Sequence, residues 1–312
     1  GVSKNYQQNI LLSDKSNFVV IEADEYDRSF HHLSPYFALI TSTDPDHLDI
    51  YHTEREFKES FEHFTSLIKP GGVLLMNNRV DIIAQVNSQV RVYTYGIEKG
   101  DFYAENIKIE NAEISFDFVT PTEKISNIQL GVPFYINIEN SVGAMALAYL
   151  SGLSAEELRT GIKSYLGIKR RFDFHIKEKN LIFLDDYAHH PTELKASINS
   201  LKKIYPDKKI TGIFQPHLYT RTRDFYQEFA NSLSLLDELL LLNIYPAREK
   251  PIEGITSNII LDKVSIKNKY LMSNEALFDF LQTNDFEVLV SFGAGDIDSL
   301  IPEIKKILIK KI

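Results

Sequence analysis

The sequence contains no cysteine among its 312 residues, which excludes disulfide bonds, thiolate metal ligands and a cysteine nucleophile. It has no apolar run near the ~18 residues that a membrane-spanning helix needs, and its first residues lack the pattern of a signal peptide. It also lacks a basic excess, because 34 lysines and arginines face 43 acidic residues and the net charge is −9. A nucleic-acid partner would need a basic surface, so the sequence predicts a soluble cytoplasmic protein without such a partner.

The second half of the chain alternates between apolar runs and amphipathic helical segments. This order predicts right-handed crossovers and a mostly parallel sheet, as in a Rossmann-like α/β domain. The predicted strands cover residues 181–186, 209–214, 239–242 and 288–292. Helices are expected from about residue 191, from about residue 220, as one short segment before residue 288, and at the end of the chain.

The first half also has β-α-β organisation, interrupted by an antiparallel insertion. Short alternating runs between residues 101 and 132 predict this insertion, with one face in water. Thr53 and Glu56 have the spacing of a capping box at a helix start. The predicted strands cover 17–24, 36–41, 73–76 and 90–95, and the predicted helices cover 53–68, a segment from about Asp81, and 137–150. We place the domain boundary in the basic segment that follows, so that the domains cover 1–170 and 171–312.

Five polar side chains follow the apolar run at residues 181–184. They are Asp185, Asp186, Tyr187, His189 and His190. Ligands of open α/β sheets bind beyond the carboxyl ends of the strands, and the density of polar groups favours a site in this loop. The alternative is that the acids cap the following helix and the histidines are solvated.

Glu22 and His47 follow two other apolar runs of the first half. If these runs are neighbouring strands, the two side chains reach one edge of the sheet, where they are acceptable ligands for a divalent cation. The alternative, which the residues alone favour slightly, is a helix cap or an ion pair with Arg28. Glu25 is a second candidate for the metal, because spacing does not separate it from Glu22.

Two basic segments and one glycine turn are further candidates for ligand binding. Lys169, Arg170 and Arg171 form either a solvated linker or an anion clamp, since guanidinium groups suit phosphate. Arg221 and Arg223 stand near a predicted helix start, where a carboxylate or phosphate would also meet free backbone donors. The Gly-Ala-Gly turn at residues 293–295 is weak evidence for a ligand, and we interpret it as backbone packing.

Six of these segments, in this order, resemble motifs of the Mur ligase family. They are EADEYDRSF at 22–30, DHLD at 46–49, NIEN at 137–140, KRRF at 169–172, DDYAHHPTE at 185–193 and QPHLYTRTR at 215–223. Each motif is modest alone, but together they span nearly the whole chain. The resemblance implies a central parallel-sheet ATPase domain followed by a Rossmann-like C-terminal domain.

The resemblance also implies an activity and its reactants. It points to an ATP- and Mg²⁺-dependent ligase of peptidoglycan synthesis that activates the carboxylate of UDP-N-acetylmuramate as an acyl phosphate and joins it to L-alanine. By similarity Glu22 and His47 would hold Mg²⁺. The expected nucleotide contacts are Asn137 and Asn140 for adenine, Arg171 for the phosphates, and Asp186 with Tyr187 for the ribose. His189 and Arg221 would face the muramate and the amino acid as the catalytic pair.

Three departures from the family pattern limit these expectations. No Gly-Lys pair occurs in the chain, so the phosphate-binding Walker loop is absent and we expect an inactive fragment of the ligase. Ile136 replaces a histidine that is common in the family before Asn137, and Leu218 replaces a frequent arginine. Two other functions stay open: a sister ligase that attaches a preformed peptide to the same sugar nucleotide during wall recycling, and a non-catalytic module that binds nucleotide or substrate.

Overall fold

The computed structural model describes residues 1–14, 16–45 and 48–312. The chain forms two compact units, one of residues 10–165 and one that combines Gly1–Asn9 with Leu166–Ile312. The first nine residues join the second unit through a β-bridge between Ser3 and Ile168 and an ion pair between Lys4 and Asp173. Within the described ranges, no helix is long and apolar enough to cross a membrane.

The unit of residues 10–165 contains a mixed six-stranded sheet. Strands β1 to β4 pair in parallel, and β4, β5 and β6 pair antiparallel in the order of the chain. The predicted antiparallel insertion between residues 101 and 132 is therefore confirmed. The strands are β1 (Phe37–Ile40), β2 (Val73–Asn77), β3 (Arg91–Ile97), β4 (Phe102–Glu110), β5 (Glu113–Val119) and β6 (Lys124–Gln129).

Two helices of this unit begin at a residue whose side chain caps them. They are a 3-10 helix at Ser29–His32, α1 (Leu48–Tyr51), α2 (Glu54–Ser66), α3 (Ile136–Leu150) and α4 (Ala155–Ser164). Thr53 Oγ1 accepts a hydrogen bond of 3.1 Å from the backbone N–H of Glu56, as expected for the start of α2. The apolar stripe of α2 then packs against the sheet, with Phe57 and Phe64 buried.

The predicted strand at residues 17–24 is not formed. Val19 is 84% and Val20 97% exposed, while the Phe18 ring lies beside Phe37 of β1 at 6.2 Å between centroids and Ala23 packs against the core. An apolar run forms a buried strand only where another strand and a covering layer receive it. Among the described residues, β1 pairs with β2 and has no second partner.

The predicted helix from about Asp81 is also wrong, because residues 81–87 are extended. Ile82, Ala84 and Val86 pack against the core at every second position. The intervening backbone N–H groups donate to side chains of α2: that of Ile83 to Glu62 Oε1 at 2.9 Å and that of Gln85 to Thr65 Oγ1 at 2.7 Å. These tertiary hydrogen bonds replace the internal ones of a helix.

One carboxylate holds the irregular part of the β4–β6 meander. Asp117 in β5 accepts a hydrogen bond of 2.9 Å from Asn106 Nδ2 in β4 and another of 2.9 Å from the backbone N–H of Asn127 in β6. Both asparagines have a positive φ, 52° and 61°, and the register shifts beside them in β4 and β5. These hydrogen bonds hold the pKa of Asp117 below its ordinary value, although burial acts against them.

The second unit is a six-stranded α/β sheet in the order β11-β10-β9-β12-β8-β7. All neighbouring pairs are parallel except β7 with β8. The strands are β7 (Asp173–Lys177), β8 (Ile182–Asp186), β9 (Ile210–Phe214), β10 (Glu238–Leu242), β11 (Lys269–Met272) and β12 (Val288–Phe292). The helices are α5 (Pro191–Ile204), α6 (Tyr219–Leu233), α7 (Asn258–Leu261), α8 (Asn274–Thr283), a 3-10 helix at Asp296–Leu300, and α9 (Ile301–Ile309).

The predicted alternation of this unit is confirmed for β8, β9, β10 and β12 and for the helices that follow them. Each of these strands is buried along its whole length, as expected for strands with helices on both faces. The sequence did not predict the two outer strands β7 and β11, nor the separation of α7 from α8. The fold class, a parallel-dominated α/β protein, is as predicted.

Candidate functional site

The carboxyl ends of β8, β9 and β12 meet at one edge of the second unit. The register places Asp186 of β8 beside Phe292 of β12, which in turn lies beside Phe214 of β9. The loops that leave these strands are residues 187–190, 215–218 and 293–295. Most of the polar residues predicted in the second half therefore lie at this edge, as expected for a parallel sheet.

Asp186 is the last residue of β8 and is 6% exposed. Burial raises the pKa of its carboxyl group to about 6, while the Ser197 hydroxyl and the Arg171 guanidinium act in the opposite direction. The charged form of Asp186 is therefore costly in this site. A buried acid at a strand end whose pKa has moved toward neutrality is a typical feature of a functional site.

His189 is held in one orientation by two neighbours. Its Nδ1 lies 3.0 Å from the carbonyl oxygen of Tyr187 and 3.3 Å from Glu193 Oε2, both acceptors. Nδ1 therefore carries the proton, and Nε2 keeps a lone pair. Burial lowers the pKa of His189 despite the nearby carboxylate of Glu193. The side chain is a neutral imidazole at neutral pH that can accept a proton at Nε2.

His217, which the sequence did not indicate as a site residue, lies between His189 and Arg221. Arg221 Nη1 is 3.3 Å from His217 Nδ1, and the His217 ring stacks on Tyr245 at 5.8 Å between centroids. Burial first, and then the charge of Arg221, lower the pKa of His217 to about 4. His217 and Arg221 are four residues apart across the start of α6. This spacing, which brings side chains together on one face of a helix, is the feature of the sequence that indicates their contact.

Two other candidates of this edge have local partners. Arg223 is exposed and pairs with the neighbouring Asp224 at 2.7 Å. His190 precedes α5 and lies edge-to-face with Phe225 at 5.1 Å between ring centroids. Neither contact brings the side chain toward His189 or Arg221.

Arg171 and Tyr187 lie together beside the end of β8. The Arg171 guanidinium is 5.2 Å from the centroid of the Tyr187 ring, and its Nη1 is 3.4 Å from Glu193 Oε1. The side chain of Arg171 is 52% exposed, so most of its donors face solvent. The Tyr187 ring also packs edge-to-face on His189, 5.1 Å away.

The glycine turn after β12 closes this edge by backbone packing, as interpreted from the sequence. A Cβ atom at Gly295 would lie 2.6 Å from Gln215 Oε1 and 2.7 Å from Tyr245 Cγ. At Gly293, with φ of +147°, it would lie 2.9 Å from the carbonyl oxygen of Gln215. The glycines allow the loops after β9 and β12 to touch.

Asn137 and Asn140 belong to the other unit and stand in the first turns of α3. Asn137 Nδ2 donates to the carbonyl oxygen of Val132 at 3.3 Å, and Asn140 Nδ2 lies 3.5 Å from Asn137 Oδ1. Between them, the buried Glu139 accepts a hydrogen bond of 2.5 Å from Arg79 Nη2. Asn140 is exposed, so its amide group is accessible to a ligand.

Glu22, a predicted metal ligand, is exposed and lies outside any strand. Its expected partner His47 lies outside the described residues. Glu25, the second candidate, is half-buried, and its carbonyl oxygen accepts a hydrogen bond from the Tyr51 hydroxyl. The Arg28 guanidinium lies over the Tyr51 ring at 4.7 Å. The expectation that two neighbouring strands deliver these ligands is not met, because residues 17–24 do not form a strand.

A second group of potential metal ligands lies at the β7–β8 border. Suitable atoms of Asp173, His175 and Asp185 lie within 4.8 Å of one another. However, the Lys4 ammonium already pairs with Asp173, and Arg170 Nε lies 3.8 Å from Asp185 Oδ2. Positive side chains thus supply the countercharge in this cluster, which we interpret as structural.

Comparisons with known proteins match both units to described domains. The model of the Mur ligase middle domain matches residues 4–148, and that of the Mur ligase, glutamate ligase domain matches residues 170–295. A curated protein of Phocaeicola vulgatus named UDP-N-acetylmuramate--L-alanine ligase is 56% identical over 312 residues, which are 100% of this chain and 68% of that protein.

Two solved structures from Thermotoga maritima share the fold. The UDP-N-acetylmuramate-alanine ligase MurC matches with a TM-score of 0.74 and 22% identity, over 93% of this chain and 62% of that one. The MurF ligase in complex with ADP matches with a TM-score of 0.70 and 17% identity, over 91% and 65% of the two chains. The chain therefore spans about two thirds of the length of these relatives.

Proposed function

Because this chain belongs to the Mur ligase family, we propose that it takes part in the ATP-dependent ligation of L-alanine to UDP-N-acetylmuramate in peptidoglycan synthesis. The observation that carries this proposal is the 56% identity, along the whole chain, with a relative named for that reaction. His189 and Arg221, on either side of His217 at the sheet edge, support it, since amide formation needs a proton acceptor and a carboxylate anchor.

In the proposed reaction, the muramate carboxylate takes the terminal phosphoryl group of ATP and forms an acyl phosphate and ADP. The amine of L-alanine then attacks the acyl carbon, the bond from this carbon to the phosphate oxygen breaks, and the departing phosphate takes the proton that the new amide nitrogen loses. The ammonium form of alanine must be deprotonated before it attacks. We assign this proton to Nε2 of His189, because Nδ1 is engaged by acceptors. Arg221, a fork of donors, would bind the alanine carboxylate.

The second unit offers groups that suit a nucleotide. Arg171 presents exposed guanidinium donors for the phosphates, and Asp186 with Tyr187 would contact the ribose hydroxyls. In the other unit, Asn137 and Asn140 would contact adenine through amide groups at the start of α3. The T. maritima MurF structure contains ADP, which supports nucleotide binding by this fold.

The proposed magnesium ligands are Glu22 and His47. The exposed carboxylate of Glu22 has the hard oxygen chemistry that Mg²⁺ prefers. The ion would supply positive charge against the phosphoryl oxygens. No other step of the proposal depends on it.

The test is ATP-dependent phosphate release with Mg²⁺, UDP-N-acetylmuramate and L-alanine. It is measured with the 312-residue chain and with the complete product of the gene that encodes this chain. Release that requires all three substrates in the complete gene product supports the ligase. Replacing L-alanine with a tripeptide distinguishes the sister ligase, which would prefer the peptide. Nucleotide binding without release from a folded complete gene product would contradict the proposal and favour a binding module.

A further inference from the structure

The backbone on both sides of Arg171 adopts a conformation that residues with side chains rarely use. Arg170 has a φ of 63° and Phe172 a φ of 49°, both in the left-handed region. Such backbone is strained, and it persists only where the surroundings hold it in place. Two strained residues therefore flank one exposed arginine. Contacts with the rest of the fold must hold the backbone in place on each side of Arg171.

Arg170 anchors the first side through its guanidinium group. Its Nη2 donates to the carbonyl oxygens of Gly293 at 2.8 Å and of Gly295 at 3.4 Å. Its Nη1 pairs with Asp298 Oδ2 at 3.2 Å, and its Nε lies 3.8 Å from Asp185 Oδ2. One side chain thus ties the loop to the end of β8, to the turn after β12 and to the 3-10 helix that follows.

Phe172 anchors the second side by burial. It is 1% exposed and packs edge-to-face on Phe174 of β7 at 5.5 Å between centroids. Arg171, between these two fixed residues, is left pointing toward solvent. An exposed guanidinium on a loop would otherwise be mobile, and ordering it on binding would reduce affinity.

Arg170 also fixes Tyr187. The backbone N–H of Tyr187 donates to the carbonyl oxygen of Arg170 at 2.7 Å. The Arg170 guanidinium lies 4.8 Å from the centroid of the Tyr187 ring, and Arg171 lies over the same ring. The positions of Arg171 and Tyr187, two proposed nucleotide contacts, therefore both depend on Arg170.

We propose that Arg170 is a positioning residue for nucleotide binding: it contacts no ligand itself but holds Arg171 and Tyr187 in place for the phosphates and ribose of ATP. This proposal rests on the proposed function. Lysine could not replace Arg170, because a single ammonium group cannot reach two carbonyl oxygens and two carboxylates in different directions.

The experiment compares Arg170→Lys and Arg170→Gly in the complete gene product, with Arg55→Lys as control. Arg55 is 87% exposed and pairs with Glu59 on α2. We expect the KM for ATP to rise roughly tenfold or more in both Arg170 variants, as for loss of hydrogen bonds to a charged group. We expect kcat and the KM for L-alanine to stay nearly unchanged, and Arg55→Lys to behave like the wild type.

Arg170→Gly separates the anchor from the backbone. Glycine relieves the strain at this position, so a role limited to backbone conformation predicts a normal KM for ATP in this variant. Equal increases in the KM values of all substrates in Arg170→Lys would indicate general damage and would overturn the proposal.

Hydrogen exchange of the Tyr187 amide tests the anchor without turnover. We expect this amide to exchange roughly tenfold faster in Arg170→Lys than in the wild type, because its acceptor is no longer fixed. Unchanged exchange would overturn the proposal. If the wild-type protein releases no phosphate, the proposed function fails, and the exchange rate still decides whether Arg170 holds Tyr187.

Discussion

The buried carboxyl group of Asp186 predicts that Asp186→Asn stabilises the protein at alkaline pH. In the folded protein the pKa of Asp186 is about 6, against 3.8 for the free side chain. The folded state therefore binds the proton more tightly, so stability falls as the pH rises from about 4 to about 6, and the loss is complete above that. A difference of about two pH units corresponds to about 3 kcal/mol at pH 8.

Asparagine has nearly the shape of the acid but no charge, so it avoids this cost. The advantage of the Asp186→Asn variant over the wild type in unfolding free energy should grow by about 1.4 kcal/mol between pH 5 and pH 8. About half of the total loss of about 3 kcal/mol in the wild type has already occurred at pH 5. At pH 8 the transition of this unit should move up by at most about 6 to 12 °C.

The assay is differential scanning calorimetry at pH 5 and pH 8, because the chain contains no tryptophan to report unfolding by fluorescence. Asp285→Asn is the control, since the side chain of Asp285 is fully exposed and its replacement should show little pH dependence. If Asp186→Asn and the wild type differ by the same amount at both pH values, the carboxylate is not destabilised by burial. The same variant should raise the KM for ATP if Asp186 contacts the ribose.

Three further predictions concern the metal site, the contact between His217 and Arg221, and the glycine turn after β12. Glu22→Ala should reduce turnover of the complete gene product roughly 100-fold or more; near-normal turnover at saturating Mg²⁺ would remove Glu22 from the metal site. Arg221→Ala should raise the pKa of His217 from about 4, as followed by NMR of its ring protons, and an unchanged pKa would show that the charge of Arg221 does not contribute. Gly295→Ala should lower the free energy of unfolding, measured in urea, by about 1–3 kcal/mol. Gly161→Ala in α4, with open space around it, should raise it by up to about 1 kcal/mol. Equal effects of the two substitutions would contradict close packing at Gly295.

The sequence predicted those parts of the fold that local chemistry determines. The hydrogen bond of Thr53 at the start of α2 and the position of Pro191 at the start of α5 follow from neighbouring residues. The fully buried strands β8 and β12 follow from apolar runs that helices cover on both faces. For Thr53 and Pro191 the pattern and its structural partner lie close together in the sequence, whereas β8 and β12 pair with distant strands and only their burial follows from the apolar run.

The failures occur where a distant partner decides. Residues 17–24 are as apolar as a core strand, but apolarity does not specify the strand that must receive them. Residues 81–87 are extended because Glu62 and Thr65, on a preceding helix, accept their backbone hydrogen bonds. Strands β7 and β11 are outer strands, and β11 has no fully buried residue, so their apolar pattern is weak.

The candidate site was predictable in its residue types more than in its contacts. The crowding of polar groups after residue 184 indicated where a ligand would be met. The neutral state of His217 depends on burial and on Arg221, and the anchoring of Arg170 depends on carbonyl groups more than 120 residues later in the chain. Neither is visible in the spacing of the residues concerned.

The irregular β4–β6 meander affects how the protein meets other copies of itself. Strand β6 is an edge strand of its sheet. The unpaired backbone N–H and C=O groups of a straight edge strand can form hydrogen bonds with a strand of another molecule, which leads to aggregation. Here Asn127, held by Asp117 and with a positive φ, interrupts the regular conformation in the middle of β6, and Lys124 at its beginning forms an ion pair with Glu105 of β4. An irregular edge strand with a lysine at its beginning is a poorer template for a foreign strand than a straight apolar one, so we expect this side of the sheet to resist aggregation at high protein concentration.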